Sequence, residues 1–147
     1  MKSHAFPAPV FAVAFFFASG SLLAHHGDAG RYEENLTTVE GTIVEIRMVN
    51  PHSVIVLDVP DKDGKVVRWQ GEAGSATQLR GWCWTKDVIK AGDKITMVGR
   101  RLKNGSPYMT LSENARVIDA NGKEIFRGND PGQPNVPGPC APARTRQ

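Results

Sequence analysis

Apolar and polar positions alternate with the period of a β-strand along most of the chain, most clearly from Gly41 to Val59. This stretch holds two β-rich runs joined at Asn50-Pro51-His52. Val, Ile and Thr suit a pleated, half-buried surface, and a proline that cannot donate to a ladder is pushed to a strand end. The pattern predicts strand, corner, strand. Thr37 to Val49 places Val39, Gly41 and Ile43 on one face and, after a local shift, Val44, Ile46 and Met48 on the other. A shift of that kind beside a glycine predicts a β-bulge. Ser53 to Val59 is apolar on both faces and reads as a central strand, and Asp63-Gly64 then turns the chain into a third strand, Lys65 to Gln70.

The period changes after Gly74. Ser75 followed three residues later by Gln78 is a capping box, and Gly81 is placed to end a short helix in the left-handed conformation. Thr85 caps a second single turn that ends near Gly92. Alternation resumes from Lys94 to Leu102, Asn104-Gly105 makes a hairpin, and Tyr108 to Ile118 forms a fifth strand. Asn121-Gly122 turns a brief last strand through Glu124 to Phe126. This order predicts an all-β fold: a small OB-like Greek-key β-barrel of five to six strands, with a short helix between strands three and four. A generic antiparallel sandwich or meander is the competing arrangement.

The barrel domain is expected at 37–127, preceded by an arm at 25–36 that has no sustained period. Residues 128–147 contain five prolines and three glycines, too little apolar matter for a core, and are expected to be disordered. Residues 1–24 have a lysine near the start, an apolar run from Val10 to Ala18 and small residues ahead of a polar segment. They read as a secretory signal peptide, cut after Ala24, with Gly20 as the other candidate. The run is shorter than the roughly 20 residues that cross a bilayer, so the mature chain is expected to be periplasmic or secreted and not membrane-spanning.

Composition refines this picture. The chain has 147 residues, 18 basic and 15 acidic, and a net charge of +3 without a basic block, which gives nucleic-acid binding little support. Two cysteines, Cys83 and Cys140, are too few for a disulfide scaffold and lack zinc spacing. In an oxidising compartment they can bridge and pin the tail across the helix; otherwise Cys83 is buried among tryptophans and Cys140 is free. Both arrangements stay open. Trp69 and Trp82 are expected to close the core, leaving Trp84 as the candidate exposed ring.

No nucleophile, base and orienting acid fall together, and neither Gly-x-Ser-x-Gly nor His-Glu-x-x-His occurs, so no reaction is indicated. Of the four histidines, His4 leaves with the signal. If His25 is the first residue, its α-amino and ring nitrogens can chelate one metal, with His26 beside it and His52 adding a nitrogen from the strand corner. A planar nitrogen set suits Cu(II) better than zinc and resembles the histidine brace of copper proteins. The plainer alternative is a solvated terminus and a turn histidine. OB barrels also take ligands on strands two and three and on the loops joining strands one to two and four to five. That face would carry Asn50, Arg101, Lys103 and Tyr108, which suits a protein or polymer partner without metal. Otherwise these residues form a solvated hairpin tip.

Several short elements in a fixed order carry a resemblance: Ala24-His25-His26-Gly27, Gly41-Thr42-Ile43, Asn50-Pro51-His52, Asp63-Gly64-Lys65 with Trp69, Gly81-Trp82, and Ala91-Gly92-Asp93. The chain resembles a family of exported bacterial proteins known as domain of unknown function 6152. The resemblance implies a small exported β-barrel-like domain without an established activity, and it supplies no mechanism. Cys83-Trp84 after the helix and the tail with Cys140 depart from the family pattern.

Overall fold

The computed structural model describes residues 30–85, 88–129 and 139–140. The expected signal peptide, His25 and His26, and most of the proline-rich tail lie outside these residues.

Among the described residues, seven strands and one short helix follow in the order β1 (Thr37–Arg47), β2 (Ser53–Pro60), β3 (Val66–Ala73), α1 (Ala76–Gly81), β4 (Lys94–Arg101), β5 (Tyr108–Thr110), β6 (Arg116–Asp119) and β7 (Glu124–Arg127). Neighbours run β1-β2-β3-β5-β4, and β4 pairs again with β1, so five strands close into a barrel while β6 and β7 extend from β4. Every pairing is antiparallel except β3 with β5. This is the expected OB-like Greek key, with the helix between the third and fourth strands.

β1 serves two neighbours by bending. Its first half, Thr37 to Thr42, pairs with β4, and its second half, Thr42 to Arg47, with β2. Gly41 sits at the changeover, where a Cβ would lie 2.6 Å from the Asp58 carbonyl oxygen, so only glycine fits the close approach. The bulge falls between Ile43 and Glu45. It turns Val44 outward, 36 % exposed, and lets Ile46 and Met48 pack on the same core as Ile43. Ile46 and Met48 therefore serve the barrel interior and not an opposite face, and Val44 alone of that group points out.

The expected fifth strand is broken in two. β5 pairs with the end of β4 through Arg100↔Thr110, and β6 with its start through Val98↔Arg116. The residues between them leave the ladder: Leu111 and Ala115 turn into the core, Ser112 and Glu113 face out, and Asn114 takes a positive φ of 55°. The detour is held by the chain beyond β7, since Gly128 N–H donates to Ala115 O at 2.8 Å and Asn114 N–H to Asn129 O at 2.9 Å. The hairpin signals are realised in Gly64, Gly105 and Gly122, each with φ near +80°.

α1 packs Ala76 and Leu79 against the barrel, and the Ser75 hydroxyl accepts from Gln78 N–H at 3.2 Å. Gly81 ends it within the helix. The left-handed residue is Cys83, φ 66°, because the chain reverses only after Trp82. That reversal drives Trp84 inward to 1 % exposure, where its indole N–H donates to Ile125 O at 2.7 Å and its ring meets Phe126 edge-on at 6.1 Å. The expected order of the tryptophans is thus inverted: Trp84 fills the core, while Trp69 and Trp82 are half-buried around it. Cys83 is joined to Cys140 by a disulfide with a Cα–Cα distance of 5.2 Å, and Cys140 N–H donates to Gly81 O at 2.8 Å.

Candidate functional site

The corner between β1 and β2 is fixed from both sides. Ser53 is fully buried; its N–H donates to Gly74 O at 3.0 Å and its hydroxyl to Val49 O at 3.2 Å, while Ala76 N–H also reaches Val49 O at 3.2 Å. The Asn50–Pro51 peptide within it is cis. One residue before this anchor, His52 leaves the corner over β3.

On β3, Gly71 and Ala73 face the core, so the intervening Glu72 points out of the barrel. β5 runs parallel beside it, with Thr110 opposite Glu72 and Tyr108 opposite Gln70. The result is a three-membered chain. His52 Nδ1 lies 2.8 Å from Glu72 Oε1, and the Tyr108 hydroxyl donates to Glu72 Oε2. A carboxylate only accepts, so both partners supply the proton. Whenever the imidazole is neutral, its hydrogen is on Nδ1 and Nε2 carries the lone pair; the side chain is 60 % exposed. Burial first, and then the bond to Glu72 and its charge, push the Tyr108 phenol well above the usual tyrosine range. It therefore stays protonated and acts as a donor.

His52 and Glu72 line a cleft of about 830 Å³ on the outside of the barrel, and Tyr108 holds Glu72 without lining it. One wall is the segment that enters β1. Its Tyr32 bridges to Leu102, Glu33 N–H donates to Arg101 O at 2.9 Å, and Lys103 N–H donates to Arg31 O at 3.0 Å. The opposite wall is the detour between β5 and β6, where Glu113 Oε2 meets Arg100 Nη1 at 2.9 Å. Four carboxylates, Glu33, Glu34, Glu72 and Glu113, thus face two basic groups, Arg100 and Lys103. The chain is basic as a whole, yet this cleft carries an acidic excess.

Of the residues singled out in the sequence, His52 and Tyr108 are brought together by Glu72, and Lys103 lines the same cleft. Asn50 and Arg101 do not line it. Asn50 is exposed on the corner, and the Arg101 guanidinium lies 5.9 Å from the Trp69 ring centre and donates to Gly105 O at 3.2 Å. His25 and His26 lie outside the described residues. Among the described residues no group of three His, Cys, Asp or Glu is placed to hold a metal. Nor is any helix among them long and apolar enough to cross a membrane. Glu72 escaped the sequence reading. Its signal is a carboxylate on the outward phase of a strand, and its meaning depends on the register Val54↔Glu72, which sets it beside His52.

A family model described as a family of unknown function, DUF6152, matches residues 14–110. No curated protein matches the chain. The family match includes the arm, the corner, Glu72 and Tyr108; the β5–β6 detour and the tail cysteine lie beyond it.

Proposed function

The chain belongs to the DUF6152 family, a family of unknown function, and on that premise we propose that it is an exported, non-enzymatic binding module that takes one Cu(II) through His25, His26 and His52. The observation that carries this reading is that Gly30 and His52 line one cleft. His25 is five residues before Gly30, and five residues span at most about 18 Å. A short tether thus joins the histidine pair to a residue that lines the same cleft as His52. The acidic excess of the cleft favours a cation over an anion. A terminal amine with imidazoles makes the nitrogen set that Cu(II) prefers.

Export is part of the proposal, because only a cut after Ala24 gives His25 a free amine. The signal-like order of residues 1–24 supports it, and so does a Cys83–Cys140 disulfide, a bond that persists in oxidising compartments. The test is copper affinity of the mature protein and of His52→Ala, measured against a competing chelator. His52→Ala is expected to lose at least about tenfold in affinity, the scale on which even outer partners of a metal site act. Equal affinity would remove His52 from the site.

A second reading is a metal-independent protein- or polymer-binding adaptor that uses the loop face around Asn50 and Arg101. The Arg101 guanidinium over Trp69 favours it, since the pair forms a flat platform of mixed charge and ring surface. This reading takes over if the mature protein binds copper no better than a chain with a blocked terminus.

A further inference from the structure

We infer that Glu72 is a positioning residue that fixes His52 as an Nε2 ligand, with Tyr108 as the brace that holds the carboxylate in place; the ligand role rests on the copper reading above, the positioning does not. Three observations carry it. Glu72 Oε1 takes the Nδ1 side of the His52 ring at 2.8 Å, so the neutral ring has one tautomer and one open nitrogen. Glu72 Oε2 is taken by the Tyr108 hydroxyl, so the carboxylate is held from both sides and both its oxygens are already engaged. The three side chains come from separate parts of the barrel, the β1–β2 corner, β3 and β5, whose backbones are fixed by the ladders Val54↔Glu72 and Glu72↔Thr110.

The chemistry of such an arrangement is general. A histidine that donates its remote N–H to a carboxylate is locked in orientation, and its other nitrogen becomes a better electron donor. His52 projects from a half-open corner, where an unbraced ring would rotate and would share its proton between both nitrogens. Bracing removes that freedom before a metal arrives. Tyr108 contributes at one remove: its hydroxyl stays protonated across the neutral range and keeps Glu72 from turning toward solvent or toward Lys103 across the cleft.

The test uses nitrogen-resolved NMR of the mature, metal-free protein at a pH where the imidazole is neutral, followed by copper titration of the same samples. In the wild type, His52 is expected to show a pyrrole-type Nδ1 and a pyridine-type Nε2. Glu72→Ala should move the ring toward the Nε2–H form that free histidine prefers and weaken copper binding by about 10- to 100-fold. Tyr108→Phe, which leaves Oε1 in place, should keep the tautomer and cost less affinity than Glu72→Ala. Dispersion of the barrel amides in the same spectra reports folding, and isosteric Glu72→Gln replaces the alanine variant if that one unfolds, with copper binding expected to weaken in the same direction. A wild-type His52 in the Nε2–H form, or a tautomer and copper affinity unmoved by loss of Glu72, would overturn the inference. If the tautomer behaves as stated and the wild type takes up no copper, the copper reading fails and the positioning by Glu72 stands.

Discussion

Tyr108 shows how one side chain carries both stability and the site. Its phenol ionises above the usual tyrosine range because it is partly buried and already bonded to an anionic carboxylate. The sign follows from proton linkage. The unfolded chain releases this proton near pH 10, where the folded chain still holds it, so the stabilisation is complete below about pH 10 and drains away as pH rises further. Thermal melts across that range should show the wild type losing stability in a component that Tyr108→Phe lacks; identical alkaline profiles would mean that the phenol is not held by Glu72. At this scale the sequence was partly legible. His52 stood out as a ring nitrogen at a strand corner, and Tyr108 as part of the loop face that OB barrels offer to ligands. Glu72 did not, since an outward carboxylate on a strand looks like ordinary solvation until the partner strands are known. Trp84 was misjudged for a related reason: its burial depends on the left-handed turn at Cys83, and a cysteine gives no warning of positive φ.

Elements that rest on local chemistry were readable, and elements that rest on distant partners were not. The hairpin glycines, the Ser75 cap and the bulge in β1 all follow from steric or hydrogen-bonding limits within a few residues. The split between β5 and β6 is held by Gly128 and Asn129, far along the chain, so no local pattern announces it. Gly41 tests the bend of β1 directly. Gly41→Ala drives a Cβ against the Asp58 carbonyl oxygen, which is backbone and cannot step aside cheaply. Overpacking of this kind costs about 1–3 kcal/mol, and a melting curve indistinguishable from wild type would show that the barrel has slack there. The helix turn and the tail form another such unit. The Cys83–Cys140 bond spans 57 residues, and closing a loop of that length restricts the unfolded chain by about 4 kcal/mol at most. Reduction, or paired serine replacement, should lower the denaturant midpoint accordingly; no shift would place the bond outside the stability of the barrel.

For the molecule as a whole, the OB-like barrel acts as a frame that brings three distant pieces of chain to one outer cleft. The entry segment meets the end of β4, the β1–β2 corner reaches over β3, and the β5–β6 detour supplies the far wall. Closure of the five strands makes this arrangement rigid, because the register of each ladder fixes which side chains meet. That is also why fold class was easier to read than the site: the period of the strands declares a barrel, whereas the meeting of His52, Glu72 and Tyr108 is a property of its closure. Membership of a family of unknown function leaves the activity to chemistry. The proposed copper role depends on the amino terminus that the proposed export would create. The decisive measurement is therefore a copper titration of the protein purified from the periplasm, with intact mass on the same sample. A mass that begins at His25, together with tight binding of one copper per chain, is the expected result. A terminus at Ser21, or affinity no greater than that of a terminally blocked control, would contradict the copper site.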